Sequence, residues 1–169
     1  MANISRRSLL GAAASFGIVA ATMRASADAA EPVAQGVLGA WKLETFDVVE
    51  PGQPRKPRFG VNPAGYLIYT PDGRVSATLS GVHRPKFDSA AITPSAECQG
   101  QMLADFLAYA GRYEVKGDRV FHHVEVSVFT DLVGTTLERQ FAITGDTLTI
   151  RTITSGMWGN NSILVWKRA

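Results

Sequence analysis

Hydrophobic and polar positions alternate along most of this 169-residue chain, and a helical spacing interrupts them once. Between Leu38 and Val49, Trp41, Leu43 and Thr45 alternate with Lys42 and Glu44, the period of two of a half-buried strand. Four prolines between Pro51 and Pro63 exclude a central strand there. Gly65–Thr70 and Arg74–Ser80 flank Pro71-Asp72-Gly73; with that triplet as the loop, Tyr69 faces Val75. Leu67, Tyr69, Val75, Ala77 and Leu79 then share one apolar face.

Gly81 to Ile92 reads as a loop, and Thr93-Pro94 as the N-cap and first residue of a helix. Met102, Leu103, Phe106, Leu107 and Ala110 follow at helical spacing, and Gly111 suits the stop. Strands are then predicted at Arg112–Lys116, Val120–Phe129, Thr135–Thr144, Thr147–Thr152 and Ser162–Arg168. A tight turn at Gly145-Asp146 sets Ile143 opposite Leu148 and Phe141 opposite Ile150. About eight strands in meander order predict an all-β, antiparallel up-and-down barrel with one mid-chain helix.

A barrel of that size holds packed side chains or one small ligand, so inward-facing residues are the candidates for function. Leu137, Arg139, Phe141 and Ile143 share a face, which puts a charge in an apolar stripe. Strand Val120–Phe129 offers two faces: His122, Val124, Val126 and Val128, or Phe121, His123, Glu125, Ser127 and Phe129. A five-residue connector at Thr130–Gly134 sets Glu125 opposite Arg139, a pair that satisfies both charges. A two-residue turn at Gly117-Asp118 puts Tyr113 on the valine face; a three-residue turn ending at Arg119 puts it opposite His123. The polar-inward arrangement is preferred, giving a candidate pocket of Tyr69, Tyr113, His123, Glu125, Ser127, Arg139 and Trp166. A structural Glu125–Arg139 ion pair in a filled barrel is the alternative.

The first residues belong to a different process. Ser5-Arg6-Arg7-Ser8-Leu9-Leu10 leads into the apolar run Leu9–Thr22, then Arg24 and small-residue cleavage candidates, and resembles a bacterial Tat leader. Residues 1–27 are expected to be this signal peptide, 28–36 a linker and 37–169 the barrel domain. The resemblance implies export in the folded state by the Tat translocase, to the periplasm or beyond. The leader holds three of the 17 bases and none of the 15 acids, leaving 14 against 15. A near-neutral domain has no general attraction to nucleic acid or, after cleavage, to membrane. Cys98 stands alone, which excludes an internal disulfide and suggests a small buried residue. His122 and His123 point to opposite faces, and no other metal spacing, nucleophile elbow or phosphate loop exists, so no metal or cofactor is expected.

GAWKLETF (Gly39–Phe46), NPAGYLIYTPDGRVS (Asn62–Ser76), LAYAGRYEV (Leu107–Val115), HHVEVSVF (His122–Phe129), GTTLERQF (Gly134–Phe141) and LVWKR (Leu164–Arg168) together resemble the bacterial and fungal lipocalin-like domain family. That resemblance implies an eight-stranded barrel with an internal pocket. It also implies a base in which Trp41 packs under a basic residue of the last strand, here Arg168. The function expected is binding of a small, largely apolar molecule in the barrel by an exported protein. The alternative is a cofactor-independent isomerase, cyclase or hydratase, with Glu125 or His123 as acid/base and Arg139 stabilising an anion.

Overall fold

The computed structural model describes residues 36–82, 84, 95–153 and 161–169. Its first strand, β1 (Gly39–Val48), both opens and closes the sheet. It pairs antiparallel with β3 (Ala64–Tyr69) on one edge and with β9 (Ser162–Arg168) on the other. Between them β4 (Arg74–Ser80), β5 (Phe106–Lys116), β6 (Arg119–Ser127), β7 (Thr136–Thr144) and β8 (Thr147–Thr152) are neighbours in chain order. The two-residue β2 (Lys56–Pro57) lies against Asp47 and Val48. The result is an eight-stranded antiparallel up-and-down barrel, closed so that its ring strands have no free edge.

The β3–β4 and β7–β8 hairpins form in the expected register, with Tyr69 opposite Val75, Ile143 opposite Leu148 and Phe141 opposite Ile150. Leu67, Tyr69, Val75, Ala77 and Leu79 are all buried. In β1 a bulge at Glu44, between Leu43 and Thr45, shifts the alternation. Phe46 is therefore buried beyond Trp41 and Leu43, and Thr45, expected on their face, is exposed.

The helix is shorter than predicted. α1 spans Ala96–Ala104, with the Ser95 hydroxyl accepting from the Cys98 amide at 3.2 Å. Thr93 and Pro94 lie outside the described residues. Phe106 already begins β5, whose Leu107, Tyr109 and Gly111 pair with Leu79, Ala77 and Val75 of β4. Those residues fit a period of two as well as a helical one, and only the strand gives them a surface to bury against. α1 itself buries none of its residues, and Cys98 is half-exposed rather than buried.

The largest departure concerns β6. A two-residue turn joins it to β5, with Lys116 opposite Arg119 and Gly117 at a φ of +60°. Its register with β7 runs from Arg119 opposite Gln140 to His123 opposite Thr136, so Arg139 faces Val120 and not Glu125. Beyond Val124 the strand leaves β7 and continues along β5 alone, and the 3-10 turn η1 (Thr130–Leu132) carries the chain back. The expected five-residue connector is in effect longer, which exchanges the two faces of β6. A bulge sits at the same place: Gly111 pairs with Val124 and Ala110 with Val126, leaving Glu125 as the extra residue. A Cβ on Gly111 would meet the His123 carbonyl oxygen at 1.9 Å, so this approach requires glycine.

One end of the barrel is sealed. Trp41 is fully buried and donates from its indole N–H to the Val37 carbonyl at 2.8 Å. The Arg168 guanidinium lies 4.2 Å from the Trp41 ring centre and donates to the carbonyls of Leu38 and Gly36. This is the base that the family resemblance implied. The opposite end receives α1, which leads into β5, and η1, which leads into β7.

Candidate functional site

With Val120, His122 and Val124 turned inward, at 0%, 1% and 3% exposure, β6 delivers an imidazole to the barrel interior. Strand β3 brings Tyr69 to it, with the phenol oxygen 2.8 Å from Nε2. Strand β5 brings Tyr109, with its oxygen 2.8 Å from Nδ1. Both ring nitrogens of a buried histidine are thereby engaged by buried phenols.

The electrostatics follow from this enclosure. Burial first, then the neighbouring Arg139 and His123, push the His122 pKa down to about 3, so the ring is neutral. Burial raises both phenols above their ordinary value, Tyr69 more strongly with Tyr109 adding to it. A neutral imidazole has one N–H and one bare nitrogen. One tyrosine therefore donates to the ring, the other accepts from it, and the accepting tyrosine keeps its own O–H for a further partner.

Arg139 supplies the charge. It stands on β7 opposite the fully buried Val120, two residues from Phe141 and from Leu137, which itself faces His122. Burial lowers its pKa, and the nearby phenols of Tyr109 and Tyr69 oppose that shift. Its guanidinium donates to the carbonyl of the adjacent Glu138 at 2.9 Å, and no carboxylate among the described residues pairs with it.

Other sequence-predicted site residues divide by face. Tyr113, opposite His122, packs edge-on to Tyr69 with ring centres 4.9 Å apart and donates to the Thr70 carbonyl at 3.1 Å. Trp166 is buried between Leu43 and Leu148, and its indole nitrogen has no hydrogen-bond partner among the described residues. Ser127, opposite Tyr109, engages the backbone at Ala108 and Phe129. His123 and Glu125 correct the expectation, because both lie outside. His123 meets Thr136 at 2.9 Å and the Glu114 carboxylate at 3.5 Å. Glu125 receives Arg74 at 2.6 Å and Arg112 at 3.2 Å. Neither reaches the interior with Arg139, so acid/base chemistry there has no use of them.

Two interior residues escaped the sequence reading. Tyr109 was hidden inside the predicted helix. His122 was legible as a polar residue in the Val120–Val124 stripe, but only with the other face of β6 turned in. Among the described residues, no group of three or more potential ligands gathers to hold a metal ion, and no helix is long and apolar enough to cross a membrane. On the outer face, Val126 and Val128 border a shallow depression with Ser76, Thr78, Ala108 and Ala110, and Ile68 and Val126 border a second beside it.

A family model described as a lipocalin-like domain matches residues 38–169. The chain belongs to the lipocalin-like domain family. No curated protein matches it. A crystal structure of a lipocalin-like protein from Bacteroides uniformis is 9% identical, covering 79% of this chain and 99% of that one at a TM-score of 0.44. A second, of an uncharacterized protein from Bacteroides eggerthii, is 10% identical with the same coverage and a TM-score of 0.42. A lipocalin-like barrel of this kind suits a ligand-binding protein.

The neutral histidine gives a pH signature. The unfolded chain protonates His122 near 6.5, whereas the fold resists protonation down to about 3. The unfolded state therefore gains protons first as pH falls: stability from this group is full above about 6.5 and is lost progressively toward about 3. Urea unfolding should show about 2 kcal/mol less stability at about pH 5 than at about pH 7.5 from this residue alone. His122→Phe should flatten the profile by that amount; identical profiles would contradict the buried neutral ring.

Proposed function

We propose that this lipocalin-like protein binds one small, largely apolar molecule inside its barrel, after export through the Tat pathway and removal of residues 1–27. The carrying observation is the guanidinium of Arg139 beside an uncharged Tyr69–His122–Tyr109 chain, set among inward apolar side chains. Leu107, Leu137 and Arg139 face this interior yet keep part of their surface uncovered. A barrel filled by its own side chains covers such residues; a barrel that takes a ligand leaves them within reach. The sealed Trp41–Arg168 base supports entry from the other end. Export rests on the leader-like start, Arg6-Arg7 followed by the apolar run, which lies outside the described residues.

Native mass spectrometry of protein purified from its own periplasm is expected to show a bound small molecule, lost in Leu137→Trp, where a larger side chain occupies the space opposite His122. A ligand retained in a folded Leu137→Trp protein would place binding elsewhere. For export, Arg6→Lys with Arg7→Lys should leave the full-length precursor in the cytoplasm. Unchanged export of the double variant would rule out the Tat route.

A further inference from the structure

We infer that the barrel selects an organic monoacid, a molecule with an apolar body and one carboxylate, which Arg139 receives. The inference rests on the ligand-binding reading above and names the chemistry of its ligand.

Counting acids by face supports it. Glu125 is held by Arg74 and Arg112, Glu114 by Lys116, and Glu138 by Arg119 on the outer surface. Each carboxylate near the middle of β5, β6 and β7 is thus committed outside the barrel. Inside, among the described residues, Arg139 is the positive charge, and its surroundings are phenols, a neutral imidazole and apolar side chains. A guanidinium carries five N–H donors, and among the described residues one backbone carbonyl accepts from it, leaving most of them open there. A charge withdrawn from water without a counter-charge is costly, and an incoming anion removes that cost.

The same geometry narrows the anion. One guanidinium fork matches one planar carboxylate through two parallel hydrogen bonds. A phosphate monoester brings nearly twice the charge to a site with a single cation, so it is poorly matched. Whichever phenol accepts from His122 has an O–H left to donate, and a carboxylate oxygen provides an acceptor. His122, being neutral, fixes that hydroxyl without adding charge of its own. Leu137 and Phe141, two residues either side of Arg139 on the same face of β7, and Val120 opposite it line the position with apolar surface, which suits an aliphatic or aromatic body.

Decanoate and decan-1-ol, equal in chain length and differing at the polar end, separate the claims. Titration calorimetry of the mature protein near neutral pH is expected to show decanoate binding about tenfold to hundredfold more tightly, the range of a charged hydrogen-bonded contact. Arg139→Gln, checked for fold by circular dichroism, should bring decanoate down to the level of the alcohol, and Arg139→Lys should restore part of the difference. Lowering the pH until decanoate protonates should erase the preference in the unaltered protein, an arm that needs no variant. Equal affinities for acid and alcohol would overturn the monoacid inference while leaving barrel binding intact. Binding of neither probe would overturn both.

Discussion

Because the ring of strands closes, the side-chain parity of β6 is imposed by two neighbours at once. His122 lies opposite Tyr113 on β5 and opposite Leu137 on β7, and all three point inward. Nothing in β6 alone could change that without breaking one of the two ladders. The bulge at Glu125, accommodated by the bare Cα of Gly111, lets the strand finish along β5 as Ser127 comes opposite Tyr109. What reaches the interior is therefore a histidine flanked by valines, and what reaches water is a histidine and a glutamate with surface partners.

Arg139 and Arg168, one facing inward and one at the base, show how differently one residue type can be satisfied. Arg168 at the base lies over the Trp41 ring and donates to two backbone carbonyls, a set of contacts that fastens the last strand to the first. Its role is complete within the protein. Arg139 has a neighbouring carbonyl and two phenols nearby but no carboxylate among the described residues. Burial without a full set of partners is where function is to be sought, since the fold alone gains little from such a charge. The Tyr69–His122–Tyr109 chain adds preorganisation: three side chains from three strands hold one another in place through two hydrogen bonds of 2.8 Å.

Much of the architecture was legible from alternation and turns. The β3–β4 and β7–β8 hairpins fell into register because Asp72-Gly73 and Gly145-Asp146 fix their loops. The base, with Arg168 over the Trp41 ring, is the one the lipocalin-like resemblance implied. Where the reading failed, the cause was local ambiguity resolved by tertiary pairing. Phe106–Ala110 satisfies both periods, and β4 claimed it as a strand. A five-residue connector between β6 and β7 predicts Glu125 opposite Arg139, whereas the strands pair with Val120 opposite Arg139 and the other face of β6 inward. Glu125 had two better partners in Arg74 and Arg112 across the outer surface, which no count along β6 and β7 could reveal. Tyr69 and Arg139 lie on the interior as their strands' alternation predicts, whereas Tyr113 arrives there through the two-residue turn and opposite His122, not through the three-residue turn opposite His123.

The central claim is that ligand chemistry belongs to the inner face of β6 and β7, and the adjacent histidines offer an internal control. Imidazole ring resonances of His122 and His123 can be followed by NMR while decanoate is added near neutral pH. Ligand in the barrel predicts a large, saturable shift of His122 with His123 almost unmoved. A shift confined to His123, with His122 unchanged at saturation, would contradict the account.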